Sequence, residues 1–100
     1  MNYKMKQDFI DLWKDMKFKN TVVKAMQFKR GRFEELKKFT NGRAKDMTIE
    51  KKIGGKCTCF IESEGHEKIV LENDYVVLGE KDILHVIDRD MFETIYRIMA

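Results

Sequence analysis

The sequence predicts an α+β fold: a small, mostly antiparallel sheet of about six strands, with an N-terminal helix, one helix after the first strand and a C-terminal helix. Three observations lead there. Apolar residues recur at helical spacing near both ends of the chain and around residues 33–39. From Met47 that period gives way to short runs of β-branched and aromatic residues, and pairs such as Glu64-Gly65 and Asn73-Asp74 punctuate the runs.

In "MKQDFIDLWKDMKF", Met5, Phe9, Leu12, Trp13 and Met16 fall at spacings of three and four, with Lys6, Asp8, Asp11, Lys14 and Asp15 largely opposite. That pattern predicts an amphipathic helix over residues 4–17. Residues 1–19 are taken as an extension packed on the core, and residues 20–100 as a single α+β domain. The aromatic ridge of Phe9 and Trp13 is the candidate contact in that helix for a sister subunit or a foreign protein.

Val22, Val23, Met26 and Phe28 predict a strand over Thr21 to Phe28. In "RFEELKKFTNG", Phe33, Leu36 and Phe39 form one stripe. Glu34 and Glu35 suit the positive end of the helix dipole, Lys37 and Lys38 suit the negative end, and Asn41-Gly42 supplies the stop. Five strands are expected in "MTIEKKI", "KCTCFIES", "HEKIVLE", "YVVLGE" and "KDILHVI". In the last, both alternating sets are partly apolar, which predicts a position near the middle of the sheet. Asp90 with Glu93 fits a capping box that opens a final helix carrying Phe92, Ile95, Tyr96 and Met99.

One hundred residues make one domain, burying roughly 60 to 68% of the surface its unfolded chain exposes. With 43% apolar and 37% charged residues the composition is globular. No stretch reaches 18 consecutive apolar residues and the start lacks a secretory apolar region, so a membrane span is not expected and a cytoplasmic location is. Cys57 and Cys59 are too few and too close for a disulfide framework. The net charge of +3 is uneven: residues 1–50 hold 13 Lys/Arg against 7 Asp/Glu, and residues 51–100 hold 7 against 10. The basic excess concentrates in residues 17–45.

The run "VVKAMQF" at 22–28, "FEELKKFTNG" at 33–42 and "NDYVVLGEKDILHVIDRDMFETIY" at 73–96 resembles a group of small, uncharacterised tailed-phage and prophage accessory proteins of Gram-positive bacteria. Those carry a strand ending in Gln-Trp, a helix with Glu-Glu-Ile, then Gly-Asp-Tyr-Ile-Ile-x-Gly and Pro-Asp-Ile-Phe-x-x-Thr-Tyr. Phe28 stands in place of their Trp, Asn73 in place of their Gly, and "HVIDRDMF" lacks their prolines and Cys. Asp74, Tyr75, Gly79, Asp90, Phe92 and Tyr96 keep the pattern. The resemblance implies a non-enzymatic accessory protein in the host cytoplasm that binds and disables a host or anti-phage defence component, with an anti-CRISPR-type inhibitor as the concrete form.

No motif points to catalysis. Cys57-x-Cys59 with His66 and His85 lacks the tight Cys-x2-Cys spacing of a zinc finger, and Gly54-Gly55 lies between strands rather than before a helix, so neither a metal nor a cofactor is expected. Asp88 and Asp90 suit a helix start better than an acid/base pair. The basic residues Lys29, Arg30, Arg32, Lys37, Lys38, Arg43 and Lys45 remain as the candidate binding site. They are suited to a host or defence protein, including a nucleoprotein, or alternatively to nucleic acid or a nucleotide through phosphate contacts.

Overall fold

The computed structural model describes residues 1–8, 22–50 and 55–99. Its first element, β1 (Asn2–Met5), is a strand where the sequence predicts the start of a helix. Tyr3 and Met5 alternate with Asn2 and Lys4, and long-range pairing decides the conformation: β1 lies between β2 (Val22–Gln27) and β8 (Tyr96–Ile98), antiparallel to both. Of the described residues in the predicted helix, Gln7 and Asp8 have helical backbone. Phe9, Leu12, Trp13 and Met16, and the boundary placed after residue 19, lie outside the described residues.

After β2 a 3-10 turn at Arg30–Arg32 leads into α1 (Phe33–Phe39), whose charge order is as expected. The helix stops where Asn41 and Gly42 take φ of 56° and 83°, letting the Gly42 N–H reach the Lys37 carbonyl at 2.8 Å. The buried Thr40 hydroxyl donates to the Leu36 carbonyl and accepts from the Ala44 N–H.

β3 (Ala44–Glu50), β4 (Lys56–Ser63) and β5 (His66–Leu71) form a three-stranded antiparallel sheet. β3 bulges between Lys45 and Thr48, where Asp46 has φ of 57°. Glu64 and Gly65, both at positive φ, make the two-residue hairpin turn between β4 and β5 that their sequence predicts. β6 (Tyr75–Leu78) and β7 (Leu84–Ile87) complete a five-stranded sheet in the order β7-β6-β2-β1-β8. Every pairing among the described residues is antiparallel, so the α+β class holds, with eight strands among those residues rather than about six.

β7 is an edge strand of its sheet, not a central one. Both of its faces are apolar because it lies between two cores. Side chains of the three-stranded sheet meet the outer edge of β7 at Leu84: Ser63 Oγ accepts from the Leu84 N–H at 2.9 Å, and Lys68 Nζ donates to the Leu84 carbonyl at 2.9 Å. At that residue the outward backbone N–H and C=O of the edge are both occupied.

The helix near the end, α2 (Arg89–Ile95), is capped by Asp88 rather than by Asp90. Asp88 Oδ1 accepts from the Met91 N–H at 2.8 Å, and Glu93 accepts from the Tyr75 hydroxyl at 2.7 Å instead of reaching back to the cap. The helix ends at Ile95 because Tyr96 turns extended and joins β1, which leaves Met99 exposed rather than in a buried stripe.

Two cores flank the five-stranded sheet. Phe28, Leu36, Cys57, Cys59, Ile61, Val70, Val76 and Leu84 fill the space under α1 and the three-stranded sheet. Met5, Ala25, Tyr75, Val77, Phe92 and Tyr96 fill the other side, around α2.

Candidate binding surfaces

The residues singled out from the sequence sit mostly on α1 and the segments around it. Four of the seven, Arg30, Arg32, Lys37 and Lys45, pair with carboxylates of the chain, while Lys29 and Arg43 are held by neutral oxygens. Lys29 donates to Asn73 Oδ1 at 2.7 Å, and Arg30 pairs with Glu72 and also donates to the Gly55 carbonyl. Arg32 pairs with Glu35 at 2.7 Å, and Lys37 lies 3.8 Å from Glu34 and over the Phe33 ring. The Arg43 guanidinium donates to the carbonyls of Thr40 and Asp82 beside a cleft lined by Phe39, Asn41 and Leu78. Lys45 pairs with Glu67 at 2.7 Å, whose carboxylate raises the ammonium pKa. Lys38 alone of the seven has no side-chain partner among the described residues. Phe9 and Trp13 lie outside those residues, as do Lys17 and Lys19.

The sequence cluster misleads because basic residues adjacent along the chain meet carboxylates brought from Glu67 and Glu72 by the fold. Exposed surface pairs of this kind stabilise little, yet each leaves less net field to attract a polyanion.

Cys57 and Cys59 point inward from β4 and are fully buried and free. Burial, and secondarily the neighbouring Cys57, pushes the Cys59 thiol up to about 12. Burial and the nearby Glu72 raise Cys57, with Arg30 opposing. Both are thiols, not thiolates, at neutral pH. Among the described residues no group of three or more His, Cys, Asp or Glu is arranged to hold a metal ion, and no helix is long and apolar enough to cross a membrane.

Two surfaces escaped the sequence reading. Because Cys57, Cys59 and Ile61 face the core, Thr58, Phe60 and Glu62 face outward, and the register places Leu71 beside Thr58 and Ile69 beside Phe60. Ile69 and Leu71 are 53% and 49% exposed. The alternation of "KCTCFIES" and "HEKIVLE" contains this stripe, but only the register shows that the two strands present it side by side. The second surface gathers Lys4, Lys24 and Arg97 on one face of β1, β2 and β8, and no local run of sequence joins them.

The fold and these surfaces define a class, an antiparallel α+β domain of two packed sheets with open sheet faces. Comparison of the chain with protein-family models, with curated proteins and with solved structures returns no match.

Proposed function

We propose that this chain is a non-enzymatic binding protein whose partner is another protein, engaged by the outward face of the three-stranded sheet. The supporting observation is the outward-facing apolar stripe of half-buried Phe60 and exposed Ile69 and Leu71 across β4 and β5. Its margin is polar: Thr48 and Thr58 share a hydrogen bond at 3.1 Å, Lys45 pairs with Glu67, and Glu62 closes the far end. An apolar centre inside a polar rim is the anatomy of a protein interface, and aliphatic side chains offer nothing to a phosphate. The internal pairing of the residue 29–45 cluster adds weight to a protein partner over nucleic acid at that site.

In its concrete form, drawn from the resemblance to phage accessory proteins, the partner is a host or anti-phage defence component in the host cytoplasm, and binding inhibits it as an anti-CRISPR-type inhibitor would. Affinity capture from a host lysate with the wild type and Ile69→Asp in parallel is the test. A protein held by the wild type, released by Ile69→Asp, and inhibited in its own activity by the wild-type chain is the expected result. Identical capture by both forms, or a captured partner that keeps full activity, overturns the proposal. A chain that dimerises through this stripe and loses the dimer in Ile69→Asp, with no other partner displaced, overturns it too.

A further inference from the structure

We infer that the face of β1, β2 and β8 turned away from the aromatic core binds the phosphate backbone of a single-stranded nucleic acid, independently of the apolar stripe. Tyr3, Met5, Val23, Ala25 and Tyr96 point into that core, so strand alternation turns Lys4, Lys24 and Arg97 to the opposite side. The register packs them closely. Lys4 lies directly opposite Arg97 on one side and Val22 on the other, and Lys24 sits two residues along from Val22, opposite Asn2.

Val22 is 44% exposed, and Lys24 and Arg97 are exposed. The first core takes only Met26 and Phe28 from this end of the sheet, leaving the β1–β8 half of the face outside its cover. None of the three cations has an ion pair with a described carboxylate, and Asn2 and Val22, their neighbours on the face, are uncharged. This differs from the residue 29–45 cluster, where Arg30, Arg32, Lys37 and Lys45 each pair with a carboxylate. Like charges brought together by sheet pairing repel one another, and a bound polyanion relieves that repulsion.

Three adjacent strands span roughly 10 Å, and cross-strand neighbours lie about 5 Å apart. That spacing suits successive phosphates of one strand, which carry a charge every ~3.4 Å when stacked and wider when extended. A flexible single strand can lay successive phosphates along three cations on a flat face, whereas the phosphates of a rigid duplex curve away from such a face, and open sheets serve as platforms for single strands. With Val22 rather than an aromatic ring between the cations, base stacking contributes little. Binding is then almost wholly electrostatic, tolerant of sequence and steeply dependent on salt.

Fluorescence anisotropy with a labelled oligothymidylate, titrated at several potassium chloride concentrations, tests this. Three phosphate contacts predict a slope of about −2 in log K against log salt, an affinity loss on the order of 15-fold between 50 and 200 mM. Lys4→Gln/Lys24→Gln/Arg97→Gln should abolish binding, Lys24→Arg should retain it, and Lys37→Gln/Lys38→Gln should keep the wild-type slope. Should the triple variant fail to fold, Lys24→Gln alone should flatten the slope by about 0.7. No binding at 50 mM salt, loss in Lys37→Gln/Lys38→Gln instead, or tighter binding of duplex or of polyglutamate would overturn the inference. Ile69→Asp should bind the oligonucleotide as the wild type does, so the two surfaces fail or stand separately.

Discussion

The two cores of this protein are built on different chemistry although they share one sheet. On the side of the three-stranded sheet, aliphatic chains, two thiols and Phe28 are held with two polar groups, Thr40 and Ser63, that tie backbone across elements. On the side of α2 the packing is a stack of rings: Phe92 lies 4.0 Å from Tyr75 and 4.8 Å from Tyr96, near parallel to both, while Tyr3 meets Phe92 edge-on at 4.9 Å. The first core spreads its stabilisation over many medium side chains. The second concentrates it on one ring, because few residues from short strands and a seven-residue helix are available there.

The sharpest way to break that contrast is Phe92→Ala, which should cost about 3 to 5 kcal/mol against a total on the order of 5 to 15, read by denaturant unfolding. Phe92→Leu should cost more than Phe28→Leu, since Phe92 meets the rings of Tyr3, Tyr75 and Tyr96 within 4.9 Å while Phe28 meets that of Phe33 at 6.4 Å, and close ring pairs add ~0.5 to 1.5 kcal/mol beyond area. Equal losses would mean that the stack adds nothing to simple burial.

A second distinction lies in alkaline titration. The folded-state pKa of Cys59 is raised from 9.0 to about 12, so its contribution is intact below pH 9 and is lost as pH rises from there toward 12. The slope is about 1.4 kcal/mol per pH unit for each such group. Burial also raises Tyr3, Tyr75 and Tyr96, all in the same direction but from 10.0. Cys57→Ala/Cys59→Ala should therefore delay the fall in stability by about one pH unit; an unchanged onset would remove the thiols from the account.

A more local effect is that of Ser63→Ala, which strips the Leu84 N–H of its acceptor and should cost ~1 to 3 kcal/mol. Thermal melts should show this loss, whereas Thr48→Ala on the outer face should stay near wild type. If both are silent, the seam between the sheets does not depend on the serine.

How much of this was legible in the sequence depended on how local the cause was. The span 56–63 of β4, the α1 stripe and the Glu64-Gly65 turn follow from residues next to one another. β1 and β8 do not. Each is short, each abuts a helical pattern, and each is extended because it pairs with the other and not because of its own residues. The edge position of β7 was hidden for a related reason, since two apolar faces can be supplied by a second sheet as well as by a central place in one. Among surfaces, runs of basic residues were visible and proved in part ion-paired, while the cations on β1, β2 and β8 are drawn from positions 4, 24 and 97 and only pairing unites them.

The pairing of Tyr3 with Ile98 also constrains how the chain can fold in time. Contacts of such sequence separation carry the largest loop-closure entropy and lower the folding rate. During synthesis β1 can dock on β2 early, but its other edge stays unpaired until residues 96–98 have left the ribosome. Until β8 is made, β1 presents that open edge, and deleting residues 96–98 should leave it free and raise the tendency to aggregate.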